Sequence, residues 1–207
     1  MLTADRISVM NFENAIRGAR NPMNSWERGD SGYRADGSFF LGPNDLDLAK
    51  RLYSAGSDHR KYLRQVFVSM DICAPLYWWK EFDTYKVATV ANSTSTMHKI
   101  HSVPFALQQF SCDGMSTASL AQMERTLAYL EQLRVSYLDS KDKGIWRDII
   151  QLLPESYNQL RTCTLNYETL RNIYHARKDH KLTEWHTLCA AIEGLPYAAE
   201  LIVGENH

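Results

Sequence analysis

Residues 166–188 read NYETLRNIYHARKDHKLTEWHTL, and the way this run changes character sets the class of fold. The β-favouring residues 162–166 predict a strand that feeds a helix over 169–176. The charged stretch after Arg177 interrupts it, and a second helix is expected over 182–195. The segment also concentrates donors. Arginine offers a planar fork of N–H groups that suits a phosphate or a pyrimidine carbonyl, and asparagine both donates and accepts. Asn172 and Arg177 lie five residues apart, so on a helix they point at somewhat different angles, yet both can line one pocket at a helix end. The plainer alternative is that Arg171, Arg177 and Lys178 only solvate that end.

Upstream, the clearest helix spans 116–138, where Leu120, Met123, Leu127, Leu130 and Leu133 form an apolar stripe opposite Glu124, Arg125, Glu131 and Arg134. A further helix over 145–153 stops at Pro154. VFVSMDI, residues 66–72, reads as a strand, and Pro75 opens a helix carrying Trp79 and Phe82, with Glu81, Thr84 and Tyr85 at its rim. A short strand is expected over 6–10 and a helical turn over 14–18. Residues 21–45, NPMNSWERGDSGYRADGSFFLGPND, predict a long ordered loop anchored by Trp26, Phe39, Phe40 and Leu41. Asn44 or Asp45 would cap a helix through Tyr53, and Ser57 or Asp58 another through Arg64. Strands interspersed with helices, without repeats or a linker, predict one α+β domain over 1–207, with a mixed or antiparallel sheet and packed helices.

Composition narrows the function. In 207 residues, 23 Lys and Arg face 24 Asp and Glu, so the chain has no basic field for wrapping nucleic acid. Its four cysteines are far apart and match no zinc spacing, as expected of reduced thiols in a cytoplasmic protein. No apolar run is long enough to predict a membrane span or a secretory leader.

The densest chemistry falls in residues 78–99, WWKEFDTYKVATVANSTSTMHK, where cations, an acid and a run of hydroxyls follow an apolar stretch. This suits a pocket for a small polar or anionic ligand better than a core helix. Its Ser95 and His98 lack the GxSxG elbow of a hydrolase, and the histidines lack an HExxH spacing for metal. The glycines form neither a Rossmann fingerprint nor a Walker loop. Tyr85, beside Lys86 and the hydroxyls, is a better ligand contact than Trp146, which lies on an expected core helix.

Two segments resemble the flavin-dependent thymidylate synthases. The family signature RHRxxSxNExSxRY is similar to EFDTYKVATVANSTSTMH at 81–98. Glu81 takes a preceding glutamine position, and Thr84, Tyr85 and Lys86 take the Arg-His-Arg positions. With one inserted residue, Asn92 matches the asparagine and Ser95 the later serine, while Met97 and His98 replace Arg-Tyr. The family's C-terminal pattern NxRSLxNFLxLRxxxxAQWEI aligns to 166–188, without a gap through Arg177 and with one inserted residue before Trp185. Asn166, Asn172, Arg177 and Trp185 keep their counterparts, and Glu168 replaces an arginine.

This resemblance implies an α+β enzyme that transfers a one-carbon unit to C5 of a pyrimidine deoxynucleotide monophosphate, deoxyuridylate above all. It implies FAD as cofactor, NADPH and methylenetetrahydrofolate as co-substrates, and a homotetramer. Arg177 and Ser95 would be catalytic; Glu81, Lys86, Ser95, Asn172 and Arg177 would bind substrate; Thr84, Tyr85, Lys86, Asn92, Asn166 and Asn172 would hold the cofactor. Arg17, Arg20 or Arg134 would replace the cations that Thr84 and Tyr85 lack. The alternatives are a related flavin-dependent nucleotide-modifying enzyme and a non-catalytic nucleotide-binding or assembly protein of the same fold.

Overall fold

The computed structural model describes residues 2–204. It is an α+β structure with a four-stranded sheet, ordered β1 (Thr3–Met10), β4 (Phe67–Pro75), β6 (Asn158–Asn166) and β5 (Val90–Ser93). A small antiparallel pair, β2 (Gly32–Tyr33) and β3 (Phe39–Phe40), stands apart from it. The expected strands over 6–10, 66–72 and 162–166 are all present, each longer than its sequence signal. β4 shows why: Val68, Met70, Ile72 and Ala74 are buried at every second position, the period of a strand with one covered face.

The chain divides into two compact units. One contains residues 71–84 and 92–162 with residues 2–3; the other contains 4–70, 85–91 and 163–204. β4 and β6 each contribute residues to both.

In the first unit, α5 (Thr117–Ser140) and α6 (Lys143–Leu152) occupy the two helical regions read from the leucine stripe and the Pro154 stop. Ser116 Oγ accepts from Ser119 N at 3.2 Å, and Asp142 Oδ1 accepts from Gly144 N at 2.6 Å, so each first turn has a side-chain cap. Met123, Leu127 and Leu130 pack with Ile149, Ile100, Phe105 and Phe110. Such burial is worth about 1.5–3 kcal/mol per large apolar side chain. α3 (Leu76–Phe82) follows Pro75 as expected and buries Trp78, Trp79 and Phe82. Trp79 Nε1 donates to Gln159 O at 3.0 Å, and the Arg161 guanidinium lies 4.2 Å from a Trp79 ring centroid while Nη1 donates to Asp83 at 2.8 Å.

The second unit contains α1 (Phe12–Ala19), α2 (Pro43–Ser54), α7 (Tyr167–Arg177), α8 (Thr183–Glu193) and a π-helical turn at Ala199–Val203. Phe12 meets Tyr167 and Tyr197 edge-on, at 5.3 and 5.7 Å between centroids.

Residues 21–45 contain two 3-10 turns and the β2–β3 hairpin as well as loop. Leu41 is buried, but Trp26 is 48% exposed, its indole donating to Asn21 at the surface, so it is no anchor. Neither Asn44 nor Asp45 caps α2. Asp30 does, accepting from Asn44 N at 2.9 Å and Asp45 N at 3.1 Å, and a Cβ at Gly42 would come within 2.3 Å of that carboxyl group. Asp45 is instead buried in an ion pair with Arg20 at 2.6 Å. No side chain caps the 3-10 helix Arg60–Gln65.

Candidate functional site

Asn166 starts α7. Its Oδ1 accepts from Thr169 N at 2.9 Å, its amide donates to Arg64 O at 3.3 Å, and it is 3% exposed. This expected cofactor contact also caps the start of α7. Two residues on, Glu168 stands where the resembled pattern has arginine, and two guanidinium groups answer the reversed charge. Arg64 Nε donates to Oε2 at 2.7 Å, and Arg60 Nε to Oε1 at 3.4 Å.

Arg177 closes α7, where the negative end of the helix dipole favours a cation. Its Nε donates to the Tyr85 hydroxyl at 2.9 Å, and its guanidinium lies 4.8 Å from the Trp185 ring centroid and 5.7 Å from that of Tyr85. The two rings meet edge-on at 6.0 Å. Trp185 is fully buried, whereas Arg177 and Tyr85 are half-buried. The guanidinium plane is thus fixed by a hydroxyl and an aromatic wall, the arrangement that makes an arginine fork directional.

The turn bearing Tyr85 is held to the same helix. Thr169 Oγ1 donates to Val87 O at 3.2 Å, and Ala88 adopts a left-handed φ of 56°. That conformation costs about 1–2 kcal/mol in a residue with a Cβ. Lys86, in this turn, and Asn172, on α7, are exposed.

The remaining sequence candidates belong to the first unit, apart from Arg17 and Arg20. Thr84 Oγ1 donates to Glu81 O at 2.7 Å, closing the turn after α3, and Glu81 is half-buried. Asn92 is exposed on β5. Ser95 Oγ accepts from His98 N at 3.0 Å and caps α4 (Thr96–Lys99). This hydroxyl has a local structural task. Two proposed replacement cations are also engaged: Arg20 with Asp45, and Arg134 with Glu131 at 2.6 Å.

Lys86 and Asn172, each exposed, carry an ammonium and an amide, donors that fit the diphosphate and hydroxyl groups of a dinucleotide. Asn166, Thr84 and Tyr85 already have hydrogen bonds inside the chain. Trp185 was matched in sequence without a role, yet it forms the wall behind Arg177. A groove of about 880 Å³ beside Ile7, Met10, Phe12, Tyr33, Phe39 and Tyr197 contains none of the expected site residues.

No protein-family model matches the sequence, and no curated protein matches it. Solved structures do resemble the fold. A Helicobacter pylori thymidylate synthase X, solved with FAD and dUMP, has a TM-score of 0.72 and 18% identity, covering 98% of this chain and 96% of its own. A second structure of that enzyme complexed with FAD and dUMP has a TM-score of 0.65 and 18% identity, covering 94% and 93%. The UMP/dUMP methylase PolB from Streptomyces cacaoi, bound with 5-Br dUMP, has a TM-score of 0.62 and 16% identity, covering 93% and 88%. The chain therefore has a fold shared by thymidylate synthase X and a pyrimidine-nucleotide methylase.

Proposed function

We propose that this protein is a divergent thymidylate synthase-like enzyme that binds a pyrimidine deoxynucleotide monophosphate, deoxyuridylate foremost, and promotes one-carbon transfer to C5 of the base. The observation that carries this reading is the Arg177 guanidinium set by Tyr85 and Trp185 at the end of α7. Its N–H groups donate to a pyrimidine carbonyl, orient the ring and stabilise negative charge developing on that oxygen. Asn172 donates to and accepts from the base or sugar, and Lys86 offsets phosphate charge.

FAD, when bound, supplies the redox and methylene-transfer chemistry, with NADPH and methylenetetrahydrofolate as co-substrates; Lys86 and Asn172 are the residues of this unit with suitable donors for it. The expected roles of Glu81 at the substrate, Ser95 at the phosphate and Asn92 at the cofactor rest on the sequence resemblance. A single domain, a homotetramer and a cytoplasmic location belong to the same reading. Among the described residues, no helix is long and apolar enough to cross a membrane.

The test is incubation of the purified protein with deoxyuridylate, FAD, NADPH and methylenetetrahydrofolate, with mass-spectrometric detection of thymidylate. Thymidylate formation supports the enzyme. Deoxyuridylate binding without product would instead establish the non-catalytic nucleotide-binding alternative, and neither binding nor product would contradict both.

A further inference from the structure

In the second unit, α1, the 3-10 turn Trp26–Arg28, the hairpin β2–β3 and the start of α2 line a pocket of 300 Å³. Small-molecule sites begin at about that size, and this one takes no part in the function proposed above. Ile16 and Phe39 supply apolar wall, and Trp26 lines the pocket with 48% of its surface exposed. The indole is tied in place, since its Nε1 donates to Asn21 Oδ1 at 2.8 Å. A large ring fixed at the surface presents a stacking face that the fold itself does not use.

The charged groups of the pocket are sorted by what already occupies them. Arg20 and Asp45 neutralise each other, and both Asp45 oxygens are taken: Oδ1 accepts from Arg20 Nε at 2.6 Å, and Oδ2 from Ser31 Oγ at 2.6 Å, Ser31 N at 3.0 Å and Asp30 N at 3.1 Å. Glu13 and Arg17 are different. They lie one turn apart on α1, the spacing at which a carboxylate and a following cation ordinarily pair. Here they stay apart. Glu13 Oε2 accepts from the Tyr33 hydroxyl of the hairpin at 2.9 Å, and Arg17 forms no ion pair among the described residues. The pocket therefore offers one anion and one cation side by side, next to a fixed ring.

We propose that this pocket binds a free α-amino acid with a flat apolar side chain. Its carboxylate accepts from the Arg17 fork, its ammonium donates to Glu13 Oε1, and its side chain rests against Trp26 and Phe39. Groups one helical turn apart are about 5–6 Å apart at Cβ, a span that an ammonium and a carboxylate on one carbon can bridge. A phosphate ester suits the place poorly, because it would meet the Glu13 carboxylate without a cation of its own to set against it.

L-Phenylalanine is the probe, titrated into the full chain and followed by NMR at the Trp26 indole N–H and the Gly29 and Gly32 amides. Phenylalaninamide, which lacks the carboxylate, 3-phenylpropionate, which lacks the ammonium, and glycine, which lacks the ring, are the controls. The expected result is saturable shifts at these three residues with L-phenylalanine, weaker binding of every control, and an unmoved Trp185 indole. Arg17→Gln and Glu13→Gln, at exposed positions, each weaken L-phenylalanine about tenfold or more, the worth of one charged hydrogen bond. Glu13→Gln keeps an acceptor for Tyr33, so its loss reads the charge and not the hairpin contact. Absence of saturable shifts, a control that binds as tightly as L-phenylalanine, or affinity unaltered in both variants would overturn the proposal. None of these readouts depends on deoxyuridylate binding.

Discussion

Arg177 and Tyr85 lie 92 residues apart in sequence, yet the guanidinium Nε donates to the phenol oxygen at 2.9 Å. The tyrosine takes a histidine position of the resembled signature, and its hydroxyl orients the arginine instead of adding a charge. Tyr85→Phe removes that acceptor while keeping the ring edge against Trp185. Deoxyuridylate affinity is expected to fall about three- to tenfold, the worth of one ordinary hydrogen bond, with little change in melting temperature. Calorimetric titration measures the former and thermal denaturation the latter.

Asp45 and Arg20 form a buried ion pair, with side chains 3% and 6% exposed. Burial opposes ionisation of Asp45, but hydrogen bonds from Ser31, Arg20 and backbone N–H groups together hold its carboxyl below the usual range. Asp45→Asn leaves the guanidinium without its counter-charge and is expected to destabilise the fold by about 3–5 kcal/mol. Urea denaturation would show a lower midpoint.

Glu168 receives both Arg64 and Arg60. Glu168→Gln keeps the shape but removes the charge, at an expected loss of about 1–3 kcal/mol, limited because the Arg64 side chain is 56% exposed and solvent screens it. The same denaturation experiment reads the change; no loss would show that the two arginines do not hold the start of α7.

His175 titrates below the ordinary histidine value because burial disfavours its cation, reinforced by Arg171, although its Nε2 lies 3.0 Å from Ile202 O. Its neutral form is thus favoured in the fold. That contribution is complete above the unfolded pKa of about 6.5 and is lost as pH falls through the lower folded pKa. The melting temperature is expected to decline on acidification from pH 7, less steeply in His175→Gln.

The helices were legible where a local pattern carried them. The leucine stripe forecasts α5, Pro154 marks the end of α6, and Pro75 marks the start of α3. Long-range polar pairings were not legible. Asp45 reads as a cap from its place before an apolar run, but the structure gives the cap to Asp30 and pairs Asp45 with Arg20. The resemblance makes Asn166 and Ser95 ligand contacts, and local pattern did not announce that each also accepts from an N–H group three residues ahead. At the site, alignment alone marked Arg177 as more than a solvated helix end; only the fold brings Tyr85 and Trp185 to it.

The most direct test of the central claim is calorimetric titration of deoxyuridylate into the folded wild-type protein and into Arg177→Ala. Saturable binding by the wild type, weakened at least about thirtyfold in the variant, is the predicted result. Equal affinity in both proteins, or no binding by the wild type, would contradict the assignment of the α7 guanidinium to a pyrimidine nucleotide.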